Sequence, residues 1–284
     1  MKIHLVSFAT TYKDIGYPDT ELRQNRLINS AKKYGIHSFH TWNRQKLFKT
    51  NFYKQHKNIL DHKIGAGYWL WKPYIILDAL EKINDSDFLI YADNSMYFVK
   101  DLSPLLRICK ENNGILLFKH GDNNTTMSFT QRSTYDAMKL DFNTYKDKIM
   151  FGGGIQIYQK NESSITFLKE YLHYCSMPEC LIDSNNNNGN LTFITHKHDM
   201  SILSLLAAKY NIKGYRVPYQ HGNQHKMEHL REEGEFIFGS NYREIDTDSD
   251  YPTIFHWDKD GKNCSRPFFQ KLNPIFVYYK YLRK

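Results

Sequence analysis

DFLIYADNS, residues 87–95, is the stretch on which the fold turns. Asp87–Tyr91 is a short apolar run bounded by polar residues, as expected of a strand covered on both faces. Asp93 follows directly, with Asn94 and Ser95 behind it. In open α/β sheets the ligand lies beyond the carboxyl ends of the strands. An aspartate at that exit is well placed to hold Mg²⁺ or Mn²⁺ against a diphosphate, because both ions favour oxygen ligands. The plain alternative is a turn with Asp and Asn as turn formers.

Outward from this strand, β-type and helical patterns alternate. Lys2–Phe8 and Ile36–Trp42 read as strands. Glu21–Tyr34 carries Leu22, Leu27, Ile28 and Ala31 at helical spacing and stops at Gly35. Residues 43–63 read as a basic, aromatic loop with helical turns. Pro73–Lys82 is expected to be a helix with Pro73 at its first position. Gly114–Lys119 and Ile155–Tyr158 read as further strands. Ser163–Cys175 and Asp199–Tyr210 read as helices, with a polar SNNNNGN loop over Ser184–Asn190. The alternation predicts an α/β fold with a mixed, mostly parallel sheet flanked by helices. No Gly-x-Gly-x-x-Gly follows the first strand and no P-loop pattern occurs, so dinucleotide and P-loop chemistry lose their support.

Four more segments carry candidate chemistry. Gly65–Pro73 (GAGYWLWKP) joins two glycines to Tyr68, Trp69 and Trp71, and places Lys72 at a helix start. A cation is unfavourable there unless an anionic ligand is present. The bland reading has the tryptophans in the core and Lys72 in water. Phe151–Ile155 (FGGGI) is expected to be a glycine turn before a strand, letting a ligand approach the backbone. In His196–Ser201 (HKHDMS), Asp199 reads as an N-cap that can also face a cleft and bind a sugar hydroxyl. His256 follows Thr253–Phe255, and its imidazole at a strand end can complete a metal site begun by Asp93. Lys262, six residues on, is within reach of a phosphate.

The 284 residues carry a net charge of +8, unevenly placed. Residues 32–63 hold +7 and residues 261–284 hold +6, so the rest is mildly acidic. Apolar residues make up 41% and aromatics 15%, which excludes a largely disordered chain. No apolar run suggests a transmembrane helix. The first residues read as a strand and not a secretory signal. Cys109, Cys175, Cys180 and Cys264 lack zinc spacing and read as reduced thiols of a cytoplasmic protein.

In this order the segments resemble glycosyltransferases of the GT-A fold. The likeness is to bacterial and viral sugar transferases with a Gly-Tyr-Trp-Leu-Trp-Lys-Pro segment ahead of a Tyr-x-Asp strand end, and more distantly to family 8 glycosyltransferases. It covers residues 1–262, leaving 263–284 as a basic aromatic tail. The resemblance implies sugar transfer from a UDP- or GDP-sugar to a hydroxyl acceptor, in surface polysaccharide, lipopolysaccharide or glycoprotein glycan synthesis. It implies Mn²⁺ or Mg²⁺ held by Asp93, Ser95 and His256. Phe8, Ala9, Thr10, Trp71, Lys72, Asp93, Asn94, Gly153, Gly154 and Lys262 would hold the nucleotide sugar, and Asp199 would be catalytic. Ser95 stands where the family has a second aspartate, and Met200 where it has glutamine. Retention and inversion both stay open.

Residues 261–284 interleave six basic groups with Phe268, Phe269, Phe276, Tyr278, Tyr279 and Tyr281, a composition suited to an anionic membrane surface and a lipid-linked acceptor. A peripheral place on the inner face of a membrane is the expectation. A tail packed on the body is the alternative. Two rival functions are an inactive scaffold of the same fold that binds a partner, and a nucleic-acid binder. No nucleic-acid recognition motif supports the second.

Overall fold

A computed structural model describes residues 1–10, 20–121, 124–184, 192–220, 222, 249 and 251–258. Lys262 and the 263–284 tail lie outside the described residues. The chain runs β1 (Ile3–Ala9), α1 (Thr20–Lys32), β2 (Ser38–Asn43), α2 (Arg44–Phe48), α3 (Asn51–Gln55), α4 (Lys57–Leu60), α5 (Gly65–Tyr68), α6 (Trp71–Lys82), β3 (Phe88–Ala92), β4 (Met96–Phe98), α7 (Ser103–Glu111) and β5 (Ile115–Lys119). It continues through α8 (Thr126–Phe129), α9 (Arg132–Ala137), α10 (Phe142–Tyr145), β6 (Phe151–Gln159), α11 (Glu162–Cys175), α12 (Pro178–Leu181), α13 (Asp199–Lys209), β7 (Gly214–Tyr215) and β8 (Phe255–Trp257).

Six strands form one sheet in the order β2-β1-β3-β6-β5-β7, and β4 pairs with β8 in a separate ribbon. β1 is parallel to β2 and β3, and β5 is parallel to β7. β6 alone runs antiparallel to its neighbours β3 and β5. The sheet is therefore mixed and mostly parallel, as the alternation of elements predicts.

The period-two alternation of β3 builds a core on each face. Leu89 and Tyr91 join the cluster of Leu80, Phe167 and Leu206 from α6, α11 and α13. Phe88, Ile90 and Ala92 join Leu27, Leu105 and Cys109 from α1 and α7. Both faces are thus covered, which explains why β3 reads as one apolar run with no polar face. The helices end where local chemistry ends them. Asn161 and Ser164 form a reciprocal capping box at the start of α11.

Two expectations need correction. α6 begins at Trp71, so Pro73 is its third residue and not its first. The triple glycine does not precede a strand but lies inside β6, which starts at Phe151. Residues 43–63, read as a loop with helical turns, do hold three short helices over 44–60, of which α2 and α3 are capped by Asn43 and Thr50.

Candidate functional site

The carboxyl ends of β1, β3 and β5 fall at Ala9, Ala92 and Lys119. Because β6 runs the other way, its beginning lies at that same edge. Its glycines make a bulge there. Leu117 pairs with Gln156, but the next residue, Phe118, pairs with Gly152, so Gly153, Gly154 and Ile155 have no partner on β5. Such bulges bend a strand and re-aim what lies beside it.

Two helix starts reach this bulge. Lys72, second residue of α6, and Asp199, first residue of α13, form an ion pair with Nζ 2.8 Å from Oδ2 and side chains only 4% and 3% exposed. The Tyr171 hydroxyl donates to the same Oδ2 at 3.3 Å. A Cβ at Gly153 would lie 2.9 Å from the Lys72 Nζ and 3.2 Å from the Asp199 Oδ2. The pair therefore adjoins the space that a side chain at Gly153 would fill. Asp93 adjoins Gly154 instead, where a Cβ would lie 3.1 Å from its Oδ2. Its Oδ1 accepts a hydrogen bond from the Tyr91 hydroxyl, and its amide donates to the Gly154 carbonyl at 2.9 Å.

These charges are coupled. Burial works against the Lys72 ammonium, but the carboxylates of Asp199 and Asp93 outweigh it and hold its pKa above the usual range. For Asp93, burial pushes the carboxyl upward and Asp199 adds to the rise, against the opposing pull of Lys72 and Tyr91. Tyr219 feels the same centre. Burial, and then the Asp93 charge, push its phenol up to about 12. Two carboxylates thus share one ammonium beside two adjacent glycines.

The segment ahead of Lys72 takes an unusual path. Gly65, Ala66, Gly67, Tyr68 and Trp69 all have positive φ, making α5 a left-handed turn. The Trp71 indole donates to the Gly65 carbonyl at 3.0 Å and holds the turn. Gly67 packs so closely on α4 that a Cβ would meet the Leu60 Cα at 2.5 Å.

Against the sequence reading, Asp93, Lys72, Gly153, Gly154 and Asp199 come together. Asn94, Ser95 and Thr10 lie half-buried at the same edge. Phe8 and Ala9 are buried, and the Phe8 ring stacks on Trp71 with centroids 4.1 Å apart. The structure thus places Phe8 and Trp71 together as a buried stack behind the strand-one exit. The bland alternative for Lys72, a solvated ammonium, is corrected, because the group is buried in an ion pair. Asp199 is not an N-cap. His198 holds that position, without a side-chain cap bond. His256 lies within β8 opposite Tyr97, whereas Met96 pairs with Trp257. Alternation puts His256 on the face of the ribbon opposite Met96, whose Cε is the neighbour of Gly154. The sequence reading missed Tyr171 and Tyr219 as neighbours of the two carboxylates, since no short-range pattern links them to Asp199 or Asp93.

Among the described residues, no group of three or more His, Cys, Asp or Glu side chains could hold a metal ion. Mg²⁺ at phosphate sites is commonly bound by one or two carboxylates with substrate oxygens and water supplying the rest. Asp93, whose Oδ2 packs against Gly154, fits that kind of site as a single protein ligand.

No protein-family model matches the sequence, and no curated protein matches it. Solved structures do. Mouse xyloside xylosyltransferase 1 in its apo form is 10% identical with a TM-score of 0.46, covering 94% of this chain and 100% of that one. The apo-form glycosyltransferase GlyE of Streptococcus pneumoniae TIGR4 is 14% identical with a TM-score of 0.42, covering 99% of this chain and 63% of that one. A glycosyltransferase involved in glycosylation of the major capsid of PBCV-1 is 12% identical with a TM-score of 0.34, covering 61% and 66%. What the chain itself displays is a layered α/β fold with a buried lysine–aspartate pair and a second carboxylate at the carboxyl edge of its sheet.

Proposed function

We propose that the chain is a glycosyltransferase that moves a sugar from a nucleotide-diphosphate sugar, UDP- or GDP-linked, to a hydroxyl of a glycan or lipid-linked acceptor. The observation that carries this reading is the meeting of Lys72, Asp199 and Asp93 beside Gly153 and Gly154, at the edge where α/β sheets bind ligands. The two glycines let the Lys72, Asp199 and Asp93 side chains close directly onto the strand backbone. An ammonium–carboxylate pair offers both donors and acceptors to sugar hydroxyls, so Lys72 and Asp199 are assigned to the donor sugar.

Asp93 would hold Mn²⁺ or Mg²⁺ together with the donor's diphosphate, and the ion would supply charge neutralisation as the diphosphate leaves. The same carboxylate is braced by the Tyr91 hydroxyl and the amide bond to Gly154, which fix its direction before any ligand arrives. Lys262 is kept in this reading as a phosphate contact, and the basic 263–284 tail as a contact for an anionic membrane surface. The basic segment 32–63 would steer an anionic donor. Among the described residues, no helix is long and apolar enough to cross a membrane.

The test is a panel of nucleotide sugars with and without Mn²⁺, read by released nucleotide diphosphate. Metal-stimulated hydrolysis or transfer of one sugar nucleotide is expected, and Asp93→Ala abolishes it. Unchanged turnover in Asp93→Ala sinks the role of Asp93. No turnover of any donor, with no nucleotide shifting the melting temperature, sinks the glycosyltransferase reading.

A further inference from the structure

Two strained pieces of backbone meet beside the Lys72–Asp199 pair, and the proposed chemistry uses neither. Ala66, Tyr68 and Trp69 have φ of 54°, 52° and 60°, and His198 has φ 51° and ψ −116°. Backbone held in such regions stores energy and concentrates at functional sites. The placement is specific. Trp69 stands three residues before Lys72, and His198 immediately precedes Asp199. Their rings stack on each other, with centroids 5.7 Å apart and planes 28° from parallel. Tyr68 adds its ring 4.9 Å from the same imidazole.

The left-handed path lays the Trp69 indole across Gly65, where a Cβ would come within 2.3 Å of the ring. The large ring nonetheless stays half-buried. The polar atoms around it are arranged for hydroxyl groups. His198 Nδ1 lies 3.0 Å from the Leu181 carbonyl, which can only accept, so Nδ1 carries hydrogen and Nε2 is the acceptor nitrogen of that tautomer. The Tyr68 hydroxyl lies 3.2 Å from Nε2 of the exposed His62. A pyranose has the complementary surface, with an apolar C–H face and a rim of hydroxyls.

We propose that Trp69, with His198 and Tyr68, forms the subsite for a pyranoside acceptor, the sugar ring packing against the part of the indole that Gly65 and His198 leave uncovered and a hydroxyl donating to His198 Nε2. This rests on the glycosyltransferase reading and adds the acceptor class to it. The strain then has a use, because it holds an aromatic platform next to the donor-sugar pair.

The test compares full-length wild type, Trp69→Ala and Trp69→Phe. Transfer to a panel of methyl pyranosides is measured against donor hydrolysis, and each protein is titrated with the same pyranosides by tryptophan fluorescence without donor. Loss of one aromatic stack predicts that Trp69→Ala lowers the transfer-to-hydrolysis ratio about tenfold, through the acceptor KM. Trp69→Phe restores most of the ratio. Pyranosides quench wild-type fluorescence but not that of Trp69→Phe. An unchanged ratio in Trp69→Ala, or quenching that survives in Trp69→Phe, overturns the proposal. If the wild type turns over no sugar nucleotide, the enzyme reading fails separately, and the titration still decides the platform: quenching that vanishes in Trp69→Phe supports it, and absent wild-type quenching refutes it.

Discussion

Removing either partner of the Lys72–Asp199 pair leaves a buried charge without its counter-ion. At 2.8 Å the attraction is about 6 kcal/mol for an effective dielectric of about 20. Desolvation of both groups offsets much of it, so the pair adds little over an apolar substitute, whereas breaking it costs about 3–5 kcal/mol. That is a large share of the roughly 5–15 kcal/mol that holds a domain together. Lys72→Met and Asp199→Asn are each expected to lose this amount in urea unfolding at pH 7. The double variant removes both charges of the pair, leaves Asp93 with neither the attraction of Lys72 nor the repulsion of Asp199, and keeps an acceptor for the Tyr171 hydroxyl. It should lose at least about 2 kcal/mol less than the two single losses combined. The pH dependence gives an independent check. The Lys72 pKa is raised on folding, so its contribution is full below the usual 10.5 and declines as pH rises through the folded value. The difference between wild type and Lys72→Met should therefore narrow only in strongly alkaline buffer. Additive losses in the double variant, or a difference that narrows already near neutral pH, would refute the coupling.

Two further outcomes follow from buried groups that titrate. Burial raises the Asp93 pKa, so its ionised form weakens the fold at neutral pH and no longer does so below the usual 3.8, where the carboxyl is protonated in both states. Asp93→Asn should then melt higher than wild type at pH 7 and lose that gain in acid, while losing sugar transfer. A lower melting point at pH 7 would contradict this. His196 is buried, its Nδ1 accepts from the Gln131 amide and its Nε2 meets the Cys180 carbonyl, and burial depresses its pKa from 6.5 to about 3. Between those values the unfolded chain binds a proton that folded His196 does not, so stability falls by about 1.4 kcal/mol per pH unit on acidification. His196→Gln should flatten the acid limb of a urea-midpoint profile, and identical limbs in the two proteins would count against it.

The α/β class was legible because it is written in local periods. Strand β3 carries no polar face, and the helices α1, α6, α11 and α13 show their apolar spacing within one or two turns. Direction is not local. Nothing in FGGGIQIY distinguishes an antiparallel strand from a parallel one, and so the glycines read as a turn before a strand when they are a bulge within it. The candidate site was legible as residue types at strand exits, which gathered Asp93, Lys72, Gly153, Gly154 and Asp199. The pairing of Lys72 with Asp199 was not, because it joins positions 127 residues apart. Tyr171, 28 residues from Asp199, was hidden for the same kind of reason. Ring contacts were not legible either. The sequence does not say that Phe8 and Trp71, 63 residues apart, stack on each other while Trp69, two residues away, remains half-buried.

The long span of that ion pair also orders events in time. A lysine ammonium resists leaving water until an anion meets it. Asp93 on β3 supplies part of that charge, but the direct ion-pair partner, Asp199, arrives only with α13, so the front of α6 docks fully only then. On a ribosome this means that roughly the first two-thirds of the chain can be made, and β1, β2 and β3 can already associate, while the Lys72–Asp199 pair does not yet exist. Closure of a loop this long is slow compared with local folding. The site is then among the last parts to form, and a truncated or stalled chain ending before Asp199 would expose an unfinished helix start in place of a weakly working one.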